Sequence, residues 1–81
     1  MIEIIIRDNE LLATEGNEIV GKIVFERTEK LLAVLHTYAY QSGRGIGSIL
    51  MKEAINYAKS NNLELIPVCS FAVKYLQKYP Q

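Results

Sequence analysis

One boundary constrains this 81-residue chain more than any other feature. At Gln41, strand-forming residues give way to a glycine-rich loop and then to a helical pattern. Before the boundary, short β-branched or apolar runs alternate with turn residues. Ile2–Arg7 is followed by Asp8-Asn9, and Leu11–Thr14 is either a second strand or a bulged continuation of the first. Glu15-Gly16-Asn17 leads into Ile19–Arg27, and Thr28-Glu29-Lys30 into Leu31–Tyr40. Connections this short join antiparallel neighbours, so the first half reads as a β-meander. In the last run, Leu32, Val34, His36 and Tyr38 alternate with Leu31, Ala33, Leu35 and Thr37. Two largely apolar faces predict a central strand covered on both sides.

After the boundary, Ile46, Leu50, Ala54 and Tyr57/Ala58 recur at helical spacing, widened by Ile49, Met51 and Ile55. Asn61-Asn62 can end that helix in the left-handed conformation. Leu63–Val68 is too short for another helix and reads as a strand parallel to the one before it. Phe71, Ala72, Tyr75, Leu76 and Tyr79 form the apolar side of a last helix, which Pro80 stops. The expected class is α+β: a mostly antiparallel sheet, a late β-α-β unit and a C-terminal helix, as a single domain over residues 1–81.

Composition narrows the function. Hydrophobic residues make up 49% and charged residues 22%, enough for a core. Nine basic and nine acidic residues cancel, so no global field draws the chain to nucleic acid or an anionic membrane. The first 40 residues hold four basic and seven acidic groups, the rest five and two, a modest anion-favouring bias in the second half. Cys69 is the only cysteine and His36 the only histidine, which excludes an intrachain disulfide and the usual Cys/His zinc sets. With no apolar run near the roughly 18 residues of a membrane span and no signal-peptide start, a cytoplasmic protein without a metal is expected.

The loop Gly43-Arg44-Gly45-Ile46-Gly47-Ser48 lies between a strand and a helix start. Glycines let backbone N–H groups converge, and a helix N-terminus adds unpaired donors and partial positive charge. A pyrophosphate fits such a place, with Arg44 adding a charge-assisted bond; a glycine-rich turn without a ligand has the same pattern. The dinucleotide fingerprint wants glycine where Ser48 stands, and the P-loop's Gly-Lys-Ser/Thr is absent. Cys69 sits where the last strand meets the last helix, a position that suits either a thiolate supported by unpaired N–H groups or a small packed hydrophobe. His36 is either a proton acceptor or a core histidine. Glu10, Glu15, Glu18, Glu26 and Glu29 read as solvated turns and strand rims.

A meander, a central strand, a G-x-G-x-G loop and a long helix together resemble the GNAT acetyltransferases from about Leu11 to the C-terminus. The chain is most similar to the small GNAT-like proteins with a His-Thr pair on the central strand and a Pro-x-Cys-Ser/Pro-Phe segment after the next one. Here these are His36-Thr37 and Pro67-Val68-Cys69-Ser70-Phe71. The resemblance implies an acetyl-coenzyme A binder that transfers acetyl to an acceptor amine on a small molecule, peptide or protein. The alternative is a non-catalytic binder of coenzyme A or acyl-coenzyme A, or an interaction module on the same fold. Gly43, Arg44, Gly45, Ile46, Gly47 and Ser48 would hold the pyrophosphate, and Tyr38, Ala39 and Tyr40 would line the pantetheine arm. Cys69 would be the nucleophile that carries the acetyl group, and His36 the base. Two departures stand out. Ser42 replaces the Gln or Arg that opens the family's loop, and Leu76 follows Tyr75 where many members carry a tyrosine acid.

Overall fold

The structure, a computed structural model, describes residues 1–41 and 43–80. Five strands, β1 (Glu3–Arg7), β2 (Glu10–Glu15), β3 (Glu18–Arg27), β4 (Leu31–Ala39) and β5 (Glu64–Pro67), form one sheet in sequence order. The first four pair antiparallel, and β5 runs parallel to β4 after the crossover helix α1 (Ile46–Ser60). Helix α2 (Ser70–Lys78) closes the order. Leu11–Thr14 thus belongs to a separate strand. The turns use the residues that tolerate positive φ: Asp8 at 52°, Gly16 at 61° and Asn62, just past α1, at 56°.

The core lies between the sheet and α1. Leu11, Ala13, Val20, Ile23, Phe25, Leu32 and Val34 present one sheet face to Ile46, Leu50, Met51, Ala54 and Ala58 of the helix. Burying a Val, Leu, Ile, Phe or Met side chain stabilises by roughly 1.5–3 kcal/mol; Ile46, Leu50 and Met51 are of that size, and Ala54 and Ala58 continue the stripe at helical spacing. Helix α2 rests on α1, β4 and β5 through Ala72 and Tyr75.

Two bulges decide which side chains reach that core. In the β3–β4 ladder Val24 pairs with His36 and Phe25 with Val34, so Leu35 has no partner. An extra residue resets the alternation of sides. Val34 and Thr37 therefore both face α1, while His36 and Tyr38 face away from it. A second bulge between β2 and β3 lets Val20 as well as Gly21 face α1. The expectation that Val34, His36 and Tyr38 share a face is corrected: strict alternation fails across an inserted residue.

The expectation of cover on both sides is corrected too. Both helices pack on the Val34 side, and the opposite face, which carries Ile5, Ile19, Tyr38 and Tyr40, is solvent-exposed. The resulting slab has Cα extents of 33 × 26 × 17 Å, the thickness of two layers.

Candidate functional site

Three features meet at the C-terminal end of β4. First, β5 pairs with β4 only from Leu31↔Glu64 to Val34↔Pro67. Beyond Val34, β4 continues to Ala39 while the other chain turns into α2, so the two diverge. The Val34 carbonyl marks the fork, accepting from the N–H groups of both Val68 (3.0 Å) and Cys69 (3.2 Å). From there to Ala39, β4 pairs with no strand on that side among the described residues.

Second, the glycine loop enters α1 through residues that leave its first turn uncovered. Gly45 is the N-cap at φ 68° and ψ 25°, with no side-chain capping bond and no acidic residue in the first turn. Gly43 has φ 77°, and a Cβ added at Gly43 or Gly45 would meet nothing within 4 Å. Open space at the glycines thus lies beside the N–H groups that any helix start leaves without an intrahelical partner, as an anion requires. Gly47 has a different reason to be glycine: a Cβ there would lie 2.7 Å from Phe71 Cζ. The ring of α2's first turn rests on α1's first turn, which draws the two helix starts together.

Third, Cys69 caps α2. Its Sγ accepts from the Ala72 N–H at 3.4 Å and stands 3.4 Å from Thr37 Oγ1. The thiol is half-buried. Thr37 reaches it because the bulge at Leu35 turns this residue, rather than His36, toward α1 and α2. His36 is exposed on the other face, where its ring stacks at 6.0 Å on Tyr38, which stacks at 6.4 Å on Tyr40. The structure therefore brings Cys69 together with Thr37 and leaves His36 across the strand. Ala39, opposite Gly21, faces α1, whereas the rings of Tyr38 and Tyr40 do not.

Arg44 is already engaged. Its guanidinium donates to both carboxylate oxygens of Glu15, at 2.6 and 2.8 Å, and to Gln41 Oε1 at 2.6 Å. That bidentate bond holds the Glu15 carboxyl below its ordinary range and pushes the Arg44 guanidinium further up. Nothing in the sequence pairs Glu15 with Arg44, because the meander's second turn and the glycine loop become neighbours only in the folded sheet. Ser42 lies outside the described residues. Ser48 lines a groove of about 450 Å³ between the helices with Lys52, Asn56, Tyr75 and Tyr79. Leu76 is half-buried against the core.

Comparison with known proteins agrees with this geometry. A family model described as GCN5-related N-acetyl-transferase matches residues 9–81. Among solved structures, the chain is similar to a GNAT family acetyltransferase from Elizabethkingia anophelis with acetyl-CoA bound. That match has 28% identity and a TM-score of 0.69 over 86% of this chain and 51% of that one. A GNAT family acetyltransferase from Streptococcus pneumoniae matches at 26% identity and a TM-score of 0.62, over 86% of this chain and 55% of that one. The chain thus spans about half the length of these structures. No curated protein matches it. Among the described residues, no helix is long and apolar enough to cross a membrane. From the family match, the strand order and the forked β4–β5 pair with its glycine loop, this chain belongs to the GCN5-related N-acetyltransferase family.

Proposed function

We propose that this chain binds acetyl-coenzyme A at the fork of β4 and β5 and transfers the acetyl group to an acceptor amine. The observation that carries the reading is the meeting of an α1 N-terminus without a side-chain cap, a β4 segment open on its β5 side among the described residues and a half-buried thiol at one end of the sheet. The residues present fit the donor molecule. Backbone N–H groups from Gly43 to Gly47, with Ser48, hold the pyrophosphate, and Arg44 joins them on leaving Glu15. The backbone of Tyr38, Ala39 and Tyr40 hydrogen-bonds the pantetheine arm.

When bound, the donor supplies a thioester carbonyl. Cys69 Sγ, as thiolate, attacks that carbon, forming a C–S bond to the protein and releasing coenzyme A as its thiolate. The Ala72 N–H steadies the sulfur beforehand, and Thr37 Oγ1 fixes its direction. The acceptor nitrogen then attacks the S-acetyl carbon and displaces Cys69. The departing Cys69 sulfur takes up the proton that the acceptor nitrogen loses; His36, across the strand from Cys69, is not placed to take it. A reducing compartment such as the cytoplasm keeps Cys69 free for this role.

The rival reading, a coenzyme A-binding module without turnover, is favoured by one observation. Leu76, where many family members carry a tyrosine acid, packs toward the core. Intact-mass measurement after incubation with acetyl-coenzyme A, alongside calorimetric titration with coenzyme A, separates the two. One added acetyl on wild type and none on Cys69→Ala, with both proteins binding, is expected. Binding without acetylation overturns the cysteine route, and no binding overturns the whole assignment.

A further inference from the structure

The sheet face turned away from α1 exposes several large apolar side chains among its charged ones. By register it carries Ile5, Leu12, Lys22 and Tyr38 in one row, Arg7, Glu10, Val24 and His36 in the next, and Ile19 beside Thr14 and Glu3. Ile5 is 48%, Ile19 46% and Tyr40 56% exposed. Leu12 is buried, yet it does not belong to the cluster under α1. The charge near the centre is already neutralised, because Lys22 Nζ lies 2.9 Å from Glu10 Oε2 and 5.7 Å from the Tyr38 ring centroid.

We infer that this face is the contact surface of a homodimer, with a second copy of the chain packed sheet to sheet against it. Area supports that occupant. Five strands about 4.8 Å apart and up to about 30 Å long give a face of roughly 600 Å² in projection. The accessible area of a surface studded with side chains is larger still. Two such faces bring the buried total to about 1,200 Å², the lower bound of stable interfaces. Shape and charge point the same way. Antiparallel sheets stack face to face about 10 Å apart with strands inclined by about 30°, and a flat face on a two-fold axis is its own complement. The internal Lys22–Glu10 pair means a second copy brings no unpaired central charge, and the formal net charge of zero adds no repulsion between copies. The stacked rings of His36, Tyr38 and Tyr40 supply flat contact area of the kind that anchors interfaces.

Adjacent residues of β1 provide the test. Ile5 and Ile6 are 48% and 47% exposed but lie on opposite faces. Sedimentation velocity from about 1 to about 100 μM is expected to show wild type converting from monomer to dimer. Ile5→Lys and Ile19→Lys weaken association at least about tenfold, and Ile6→Lys leaves it unchanged. Circular dichroism confirms that each variant is folded, and a variant that is not folded is replaced by Ile5→Ser or Ile19→Ser. Wild type that stays monomeric throughout overturns the inference and leaves the face to another protein. A dimer that Ile6→Lys weakens as much as Ile5→Lys also overturns it. Ile5, Ile6 and Ile19 are not among the residues proposed to hold coenzyme A, so failure of that reading leaves this readout unchanged.

Discussion

The fit between β3 and the start of α1 turns on Gly21, and Gly21→Ala should disturb stability and ligand binding together. A Cβ at Gly21 would lie 2.6 Å from Ile46 Cγ2, 2.7 Å from the Tyr38 carbonyl oxygen and 3.3 Å from Leu50 Cδ1. Carbon pairs prefer about 3.5–4.0 Å, so close to 1 Å of movement is needed. Little can move alone: Ile46 and Leu50 are buried, and the Tyr38 oxygen is main chain in the neighbouring strand. Overpacking of this kind costs about 1–3 kcal/mol. Alanine regains roughly 0.5–1 kcal/mol over glycine within a strand, which leaves a net loss of about 1–2 kcal/mol. For a domain of this size that lowers Tm by roughly 5–15 °C, out of a total stability on the order of 4–12 kcal/mol.

The strain relaxes most readily by lifting the first turn of α1, and Ile46 follows directly on Gly45. Coenzyme A should therefore bind more weakly in the same variant. Urea unfolding and calorimetric titration measure the two effects. A cycle with Ile46→Ala isolates the contact, because removing Cγ2 should make the pair non-additive by at least about 0.5 kcal/mol. Wild-type stability in Gly21→Ala, or strict additivity, would refute the wedge between β3 and α1.

Two further variants carry the remaining expectations. Glu15→Gln removes the bidentate partner of Arg44. The lowered folded carboxyl of Glu15 means its ion pair stabilises fully above the ordinary value of 4.5 and is lost as pH falls through the lowered one. The Tm gap between wild type and variant should accordingly narrow as the solution is acidified below that point, and narrow with salt at neutral pH. A gap that does not change with pH contradicts the pairing. The same variant should bind coenzyme A a few-fold more tightly, since Arg44 no longer has to leave a carboxylate. Gly45→Ala meets open space but keeps a φ of 68°. It should cost about 1–2 kcal/mol by backbone strain alone; a neutral result in urea unfolding would show that the loop can adopt another conformation.

The β-meander, the parallel return strand and both helices could be read from residue periodicity and turn chemistry, because these are local signals. Asp8, Gly16 and Asn62 do adopt the left-handed conformations that their residue types favour. The glycine loop was legible for the same reason. Its position, between a strand and a helical stripe, carries the chemistry, and the family resemblance carried by His36-Thr37 and Pro67–Phe71 extended it to a ligand.

What tertiary structure decided begins with one residue. The bulge at Leu35 has no signature in a run of strand formers, since the chain inserts a residue there to fit the ladder with β3. That insertion turns Thr37 to Cys69 and sends His36 to the other face, reversing the side that alternation alone assigns. The bond between Glu15 and Arg44 joins residues 29 positions apart and exists only because two turns meet at one end of the sheet. Gly21 looks like any strand glycine until α1 is laid over it. Sequence determines what each segment can become; which side chains meet across segments depends on register and packing, and those are settled only when the whole sheet closes on its helices.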